Sequence, residues 1–82
     1  MFIELKIKDY IVMHGFDSNN KEIEETFKAQ TFTTKLIAVD RIQSVSEKFV
    51  LTTYASGRYI YWEYEGGLSE ITKKLREAKL LL

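Results

Sequence analysis

The sequence predicts an α+β protein in a single domain (residues 1–82): a curved antiparallel sheet of four to five strands with one C-terminal helix packed on one face. Three observations predict this fold. Hydrophobic and charged residues alternate near the N-terminus. An aromatic-rich segment at residues 49–64 has the composition of a β-hairpin, and residues 68–80 have the spacing of an amphipathic helix.

The first strand is indicated by Ile3, Leu5 and Ile7, which alternate with charged residues and so share one face of an extended segment. This alternation slips at Asp9–Tyr10 while hydrophobic residues continue, which predicts a β-bulge near Asp9. The strand ends in a segment of turn composition, HGFDSNN, at residues 14–20.

Residues 21–30 are compatible with a strand or a helix. Ile23 and Phe27 have helical spacing, and with Ala29 they also share one face of an extended segment. We favour a strand, because a long hairpin with the first strand offers the nearest partner. The sequence then predicts a strand, a corner and a further extended segment, at residues 31–39, 40–41 and 42–46.

The aromatic-rich hairpin is expected to turn at Ser56-Gly57. A two-residue turn would pair Tyr54 with Tyr59 and Leu51 with Trp62. In that register one face forms a core, made of Phe49, Leu51, Ile60, Trp62 and Tyr64. The opposite face is amphipathic and open to a partner, and it is made of Val50, Thr52, Tyr54, Tyr59 and Tyr61.

A C-terminal helix follows Gly66-Gly67, which ends the sheet. Its hydrophobic stripe has i, i+3, i+4 spacing and consists of Leu68, Ile71, Leu75, Ala78 and Leu82. Ser69 or Gly67 is expected to cap its start. Basic residues concentrate near its end, where the helix dipole favours them.

The composition restricts the functional classes. Twelve basic and twelve acidic residues give a net charge of zero, which argues against general nucleic-acid binding and against attraction to an anionic membrane. The chain has no cysteine, no hydrophobic run long enough for a membrane span and no signal-peptide pattern at its start. We therefore expect a cytoplasmic protein with no membrane association.

Residues with catalytic or metal-binding chemistry are few. His14 is the only histidine, and we expect it to be an exposed loop residue. Residues 17–20 (DSNN) carry hard oxygen ligands but lack the glycine and the distant glutamate of a calcium loop. Gly66-Gly67 is the turn that any strand-to-helix junction needs. The sequence thus predicts no catalytic residue, no metal, no cofactor and no enzymatic activity.

The candidate partner-binding residues are Tyr54, Arg58, Tyr59 and Tyr61. Tyrosine is enriched at protein interfaces, which favours a protein partner, with homodimerisation through a sheet edge or face as one form. The alternative is a module that binds a small ligand or a nucleotide stacked on the same tyrosines. A third interpretation is that half-exposed tyrosines are simply good strand formers.

Residues 36–80 resemble the FlbD family of small flagellar proteins and other short bacterial and phage proteins. The similarity is carried by an Ile-x-x-Val element at Ile42 and Val45, a hairpin with a turn glycine at Gly57, then Glu65 and a short helix. This resemblance implies the hairpin-plus-helix fold and a bacterial or phage origin. It implies no catalytic residue, and the segment 16–34 has no equivalent in that family.

Overall fold

The computed structural model describes residues 1–81, which form one antiparallel sheet and one α-helix. The strands are β1 (Phe2–Phe16), β2 (Glu22–Phe27), β3 (Thr33–Ala38), β4 (Ile42–Val45), β5 (Phe49–Tyr54) and β6 (Arg58–Tyr64), and the helix is α1 (Gly67–Glu77). The predicted α+β class is confirmed. The sheet has six strands because the chain after the first turn forms two strands, β2 and β3, in succession.

β1 is the central strand and pairs along both edges. On one edge it pairs with β6, and the sheet continues through β5 to β4. On the other edge its second half pairs with β2 and its first half with β3. Ile7 pairs with Thr33 and with Tyr64, so β3 and β6 lie on opposite edges of β1. The predicted long hairpin and the strand at residues 21–30 are therefore confirmed.

A β-bulge interrupts β1 at Lys8 and Asp9, as the slip in the sequence predicts. Ile7 pairs with Tyr64 but Tyr10 pairs with Trp62, so two residues of β1 oppose one residue of β6. The Asp9 carboxylate accepts a hydrogen bond from the Ala29 amide at 3.0 Å, which holds the β2–β3 junction against the bulge. Beyond the bulge the even-numbered residues of β1 replace the odd-numbered ones on the core face.

The aromatic-rich hairpin has a three-residue loop, and the predicted register of β5 is wrong. Leu51 pairs with Tyr61 and Thr53 with Tyr59. Ser56 and Gly57 both have positive φ, at 60° and 70°. This loop shifts the pairing by one residue, and a one-residue shift turns every β5 side chain to the other face.

The corrected register changes which β5 residues are buried. Val50 and Thr52, predicted to face a partner, lie in the interior at 0% and 4% exposure. Phe49 and Leu51, predicted to be core residues, lie on the opposite face and are half-buried. Thr52 is accommodated because its hydroxyl accepts a hydrogen bond from Trp62 Nε1 at 2.9 Å. The predicted inward positions of Ile60, Trp62 and Tyr64 are confirmed.

The core joins the helix to the face of the sheet that we call the inner face. Its buried members are Ile3, Leu5, Ile7, Ile37, Val50, Tyr64 and Ile71. Ile71 is the one fully enclosed residue of α1, and Leu75 packs beside the cluster. Leu68 and Ala78, predicted to belong to the buried stripe, are exposed, and Ala78 is the C-cap residue just beyond the end of α1. Leu82 lies outside the described residues.

The start of α1 is held by a residue from another part of the chain. Glu47, in the turn between β4 and β5, accepts a hydrogen bond from the Leu68 amide at 3.2 Å. A carboxylate is favourable here because the N-terminal amides of a helix are unpaired and partly positive. The N-cap residue is Gly66, with φ of 108° and no side-chain cap, so the predicted capping by Ser69 or Gly67 is wrong.

Tyr64 links the sheet to the same turn and predicts a pH dependence. Its hydroxyl donates a hydrogen bond to the Ser46 carbonyl at 2.7 Å. Burial, and then the nearby Glu47 carboxylate, raises the pKa of the Tyr64 phenol above its ordinary value of 10.0. The folded protein therefore binds this proton more tightly than the unfolded chain, so this contribution to stability is present below pH 10.0 and is lost as pH rises through the higher folded-state pKa.

We expect Tyr64→Phe to lower the free energy of unfolding by about 1 kcal/mol at neutral pH, because one hydrogen bond is lost. The variant should also lose less stability than the unsubstituted protein between neutral pH and about pH 11. Urea unfolding at a series of pH values measures both effects. Parallel pH profiles for the two proteins would contradict the assigned pKa shift.

Candidate functional site

The outer face of the sheet carries a hydrophobic patch across three neighbouring strands. This outer patch consists of Ile11, Met13, Phe49, Leu51, Tyr59 and Tyr61. Its centre is one cross-strand row, in which Tyr61 pairs with Ile11 on one side and with Leu51 on the other. Met13 pairs with Tyr59 in the next row. The patch therefore exists because β1, β6 and β5 all direct hydrophobic side chains to the same side.

The patch is packed within itself but remains accessible. The Phe49 and Tyr61 rings meet edge to face, with centroids 6.0 Å apart. Tyr59 is exposed at 44%, and the other five residues are half-buried. α1, the only α-helix in the described chain, packs on the inner face. Half-buried side chains on an uncovered sheet face are available for contact with another molecule.

Few charged groups accompany the outer patch. Glu24 pairs with Met13 at one margin, and Glu63 pairs with Phe49 at another. The Lys48 ammonium lies 5.7 Å from the centroid of the Phe49 ring. A hydrophobic centre with charges at its margin is the usual composition of a protein interface.

The predicted site is divided between the two faces. Tyr59 and Tyr61 have the predicted outward orientation, and their partner-binding role stays a prediction. Grouping Tyr54 and Arg58 with them is wrong, because both lie in the alternation of the inner face with Thr52 and Ile60. For Tyr54 the cause is again the three-residue loop, which reverses the orientation of β5 relative to the prediction. Arg58 belongs to β6 and shares the face of Ile60 and Trp62, as its even-numbered position requires.

Arg58 is held by three contacts at the end of the hairpin. Its Nε donates to the Ala55 carbonyl at 2.8 Å, and its guanidinium carbon lies 4.7 Å from the centroid of the Tyr54 ring. Its Nη1 donates to His14 Nδ1 at 3.3 Å. These contacts hold the guanidinium at the end of the hairpin, beside the Tyr54 ring and His14.

The sequence predicted that His14 lies in an exposed loop, and this is wrong. His14 is part of β1. Its Nε2 lies 2.9 Å from Glu25 Oε1, and 27% of its side chain is exposed. Because arginine can only donate, Nδ1 must accept, and the neutral ring therefore carries its proton on Nε2. Both ring nitrogens have partners, so the imidazole acts as a link between β2 and β6.

The inner face also carries a groove that the sequence did not predict. An open cavity of about 220 Å³ is lined by hairpin residues, among them Thr52, Tyr54, Ile60 and Trp62, and by Lys35 and Arg41. The Lys35 ammonium lies 4.8 Å from the centroid of the Trp62 ring. We call this the inner groove.

Aromatic rings stabilise the wall of the inner groove. Tyr10 stacks on Phe27 with centroids 4.8 Å apart and planes inclined by 13°. Tyr10 also contacts the Trp62 ring. The centroids of these two rings are 4.8 Å apart and their planes are inclined by 36°. Trp62 is therefore fixed by Tyr10, by Lys35 and by the hydrogen bond to Thr52. Such packing orders the aromatic wall before any ligand arrives.

Two further features of the described residues bear on function. No helix within residues 1–81 is long and apolar enough to cross a membrane. In the same residues, no three histidine, cysteine or acidic side chains come together in an arrangement that could hold a metal ion.

No protein-family model matches the chain, and no curated protein or solved structure matches it either. The resemblance of residues 36–80 to the FlbD family therefore stays a prediction.

Proposed function

We propose that this is a small non-enzymatic accessory protein, of bacterial or phage origin and cytoplasmic, that binds another protein through the outer patch. The observation that carries the proposal is the continuous row of Ile11, Tyr61 and Leu51 across three adjacent strands. A row of this kind is what a complementary protein surface would bury.

The chemistry of the outer patch supports a protein partner over a nucleic acid. Aromatic residues and methionine are enriched at interfaces, and tyrosine is frequent among the residues that dominate binding energy. Nucleic acid would require cations beside the aromatic rings, whereas Arg58 lies on the inner face. The Lys48 ammonium lies beside Phe49 at one margin of the patch, and the Arg58 guanidinium is already engaged by Ala55, Tyr54 and His14.

The arrangement of His14 supports a non-enzymatic role. Catalysis by a histidine requires a ring nitrogen that can reach the proton to be transferred. Nε2 is engaged with Glu25 and Nδ1 with Arg58. The residue thus serves the fold, where it ties the two hairpins together.

We expect the double variant Tyr59→Ser/Tyr61→Ser to remain folded and to lose its partner. Serine at a half-exposed strand position should lower the free energy of unfolding by about 1 kcal/mol or less per site. Partner binding should fall much more, because the two substitutions remove the largest contact surfaces of the patch. Circular dichroism checks the fold. Binding is checked by affinity capture of proteins from an extract of the source cells, followed by titration of each isolated protein.

The matched control is Tyr54→Ser, which removes a tyrosine of the same hairpin from the inner face. A partner retained by Tyr54→Ser and lost by the double variant supports the proposal. Sedimentation equilibrium adds the case of self-association, in which the unsubstituted protein is a dimer and the double variant a monomer. A partner retained by all three proteins contradicts the outer patch as the binding surface, and unfolding of the double variant contradicts the outward placement of the tyrosines.

A further inference from the structure

We propose that the inner groove is a nucleotide-binding site, in which a base stacks on Tyr54 and the phosphate lies between Lys35 and Arg41. This site is on the opposite face from the outer patch, and its argument does not depend on the proposed protein partner. Three observations carry it: the aromatic wall, the charge of the lining residues and the size of the cavity.

The aromatic wall provides a surface for a base. Tyr54 borders the cavity, is exposed at 42% and carries the Arg58 guanidinium over its ring. A planar base on such a ring is stabilised by stacking, which every base can provide because each has a π face. Trp62, in the same wall, is already ordered by Tyr10 and Thr52, so little freedom is lost on binding.

The charge of the lining selects an anion. Lys35 and Arg41 both border the cavity, and none of the described residues that line it has a carboxylate. Within residues 1–81 neither Lys35 nor Arg41 has a carboxylate oxygen within 4.0 Å of its charged group, so neither cation is neutralised by an ion pair. The Lys35 ammonium lies over the Trp62 ring and can swing from there to a phosphate oxygen.

The size and the overall charge limit the ligand. A cavity of about 220 Å³ is smaller than the roughly 300–1,000 Å³ of pockets that enclose drug-sized ligands, so it accepts one ring system while the phosphate stays at the exposed rim. The whole chain has no net charge, which disfavours a long polyanion. The groove therefore fits a single nucleotide, either free or at the end of a single strand.

Trp62 is the only tryptophan of the chain, so its fluorescence reports directly on the groove. We expect AMP, GMP, CMP or UMP to change this fluorescence saturably, and an affinity that falls as salt is raised. An unstructured single-stranded octanucleotide distinguishes the two sources of the nucleotide: tighter binding of the octamer indicates a strand end, and equal binding indicates a free nucleotide.

The charge contribution is tested with the double variant Lys35→Gln/Arg41→Gln, for which we expect an affinity about three- to tenfold weaker. The matched control is Lys28→Gln/Arg76→Gln, which removes the same charge from exposed positions outside the groove and should change the affinity less than about twofold. Tyr54→Ser should weaken binding at least about fivefold, since stacking is lost. Circular dichroism and urea unfolding confirm that each variant is folded.

Three results would overturn the proposal. The first is no fluorescence change with any of the four nucleotides at millimolar concentrations. The second is equal weakening by the groove variant and by its control. The third is competition by inorganic phosphate as strong as that by a nucleotide, because it would show that the base contributes nothing.

Discussion

Val50→Asp is expected to abolish folding, because Val50 has no exposed surface and lies between the sheet and α1. An ionised carboxylate in this position would be buried without a partner, which costs several kcal/mol or more. A domain of 82 residues has only about 4–12 kcal/mol of stability in total. We therefore expect the variant to show the circular dichroism and narrow chemical-shift dispersion of an unfolded chain at 25 °C.

The control for this prediction is the adjacent residue. Leu51 points to the outer face and is half-buried, so Leu51→Asp should remain folded and lose about 1–2 kcal/mol from poorer strand propensity and lost packing on Tyr61. The two variants introduce the same charge one residue apart in the same strand. An unfolded Leu51→Asp protein beside a folded Val50→Asp protein would show that β5 faces the other way.

The second large effect is expected for Ile71→Ala, which should lower the free energy of unfolding by about 2–5 kcal/mol. Ile71 is 1% exposed and is the only residue of α1 in the buried cluster, so its side chain fixes the helix to the sheet. Removing it leaves a cavity in the buried cluster that the surrounding strands and a short helix cannot easily close. Urea unfolding at neutral pH, followed by Trp62 fluorescence, gives the value.

Leu68→Ala is the matched control for the helix. Leu68 lies on the same helix but is 40% exposed, and alanine is the better helix former. Its substitution should change the free energy of unfolding by less than about 1 kcal/mol. Similar losses for the two variants would mean that α1 packs through a wider face than the buried cluster indicates.

Much of the fold could be predicted because several segments have a single hydrophobic periodicity. Ile3, Leu5 and Ile7 alternate with charged residues, so only one face of that strand can enter the core. The same pattern revealed the bulge at Asp9, since an extra residue is the simplest way to keep a hydrophobic face in phase. The C-terminal helix followed from its i, i+3, i+4 spacing.

The register of β5 could not be predicted because both of its faces are equally acceptable as a core. In FVLTTY, Phe49 and Leu51 form one hydrophobic set, and Val50 with Thr52 forms another of β-branched residues. Only the loop decides between them. Ser56-Gly57 suits a two-residue turn, and positive φ at both residues also suits the three-residue loop that is observed.

The inner groove was not predictable from local sequence. Lys35 and Arg41 belong to β3 and the short 3₁₀ turn that follows it, whereas Tyr54 and Trp62 belong to the hairpin. They come together because the core residues of β3, β5 and β6 pack in one cluster. Part of the outer patch could be predicted, since the sequence indicated the outward orientation of Tyr59 and Tyr61. The contribution of Ile11 and Met13 could not, because it depends on how β1 pairs with β6 beyond the bulge.

The most direct test of the central claim is the cross-strand pairing of the aromatic-rich hairpin, measured by nuclear Overhauser effects in isotope-labelled protein. A three-residue loop predicts contacts between the backbone protons of Leu51 and Tyr61, and of Thr53 and Tyr59. Those contacts would place Leu51 and Phe49 on the outer face with the tyrosines. Contacts of Leu51 with Trp62 and of Tyr54 with Tyr59 would instead contradict the register, and with it both the outer patch and the inner groove.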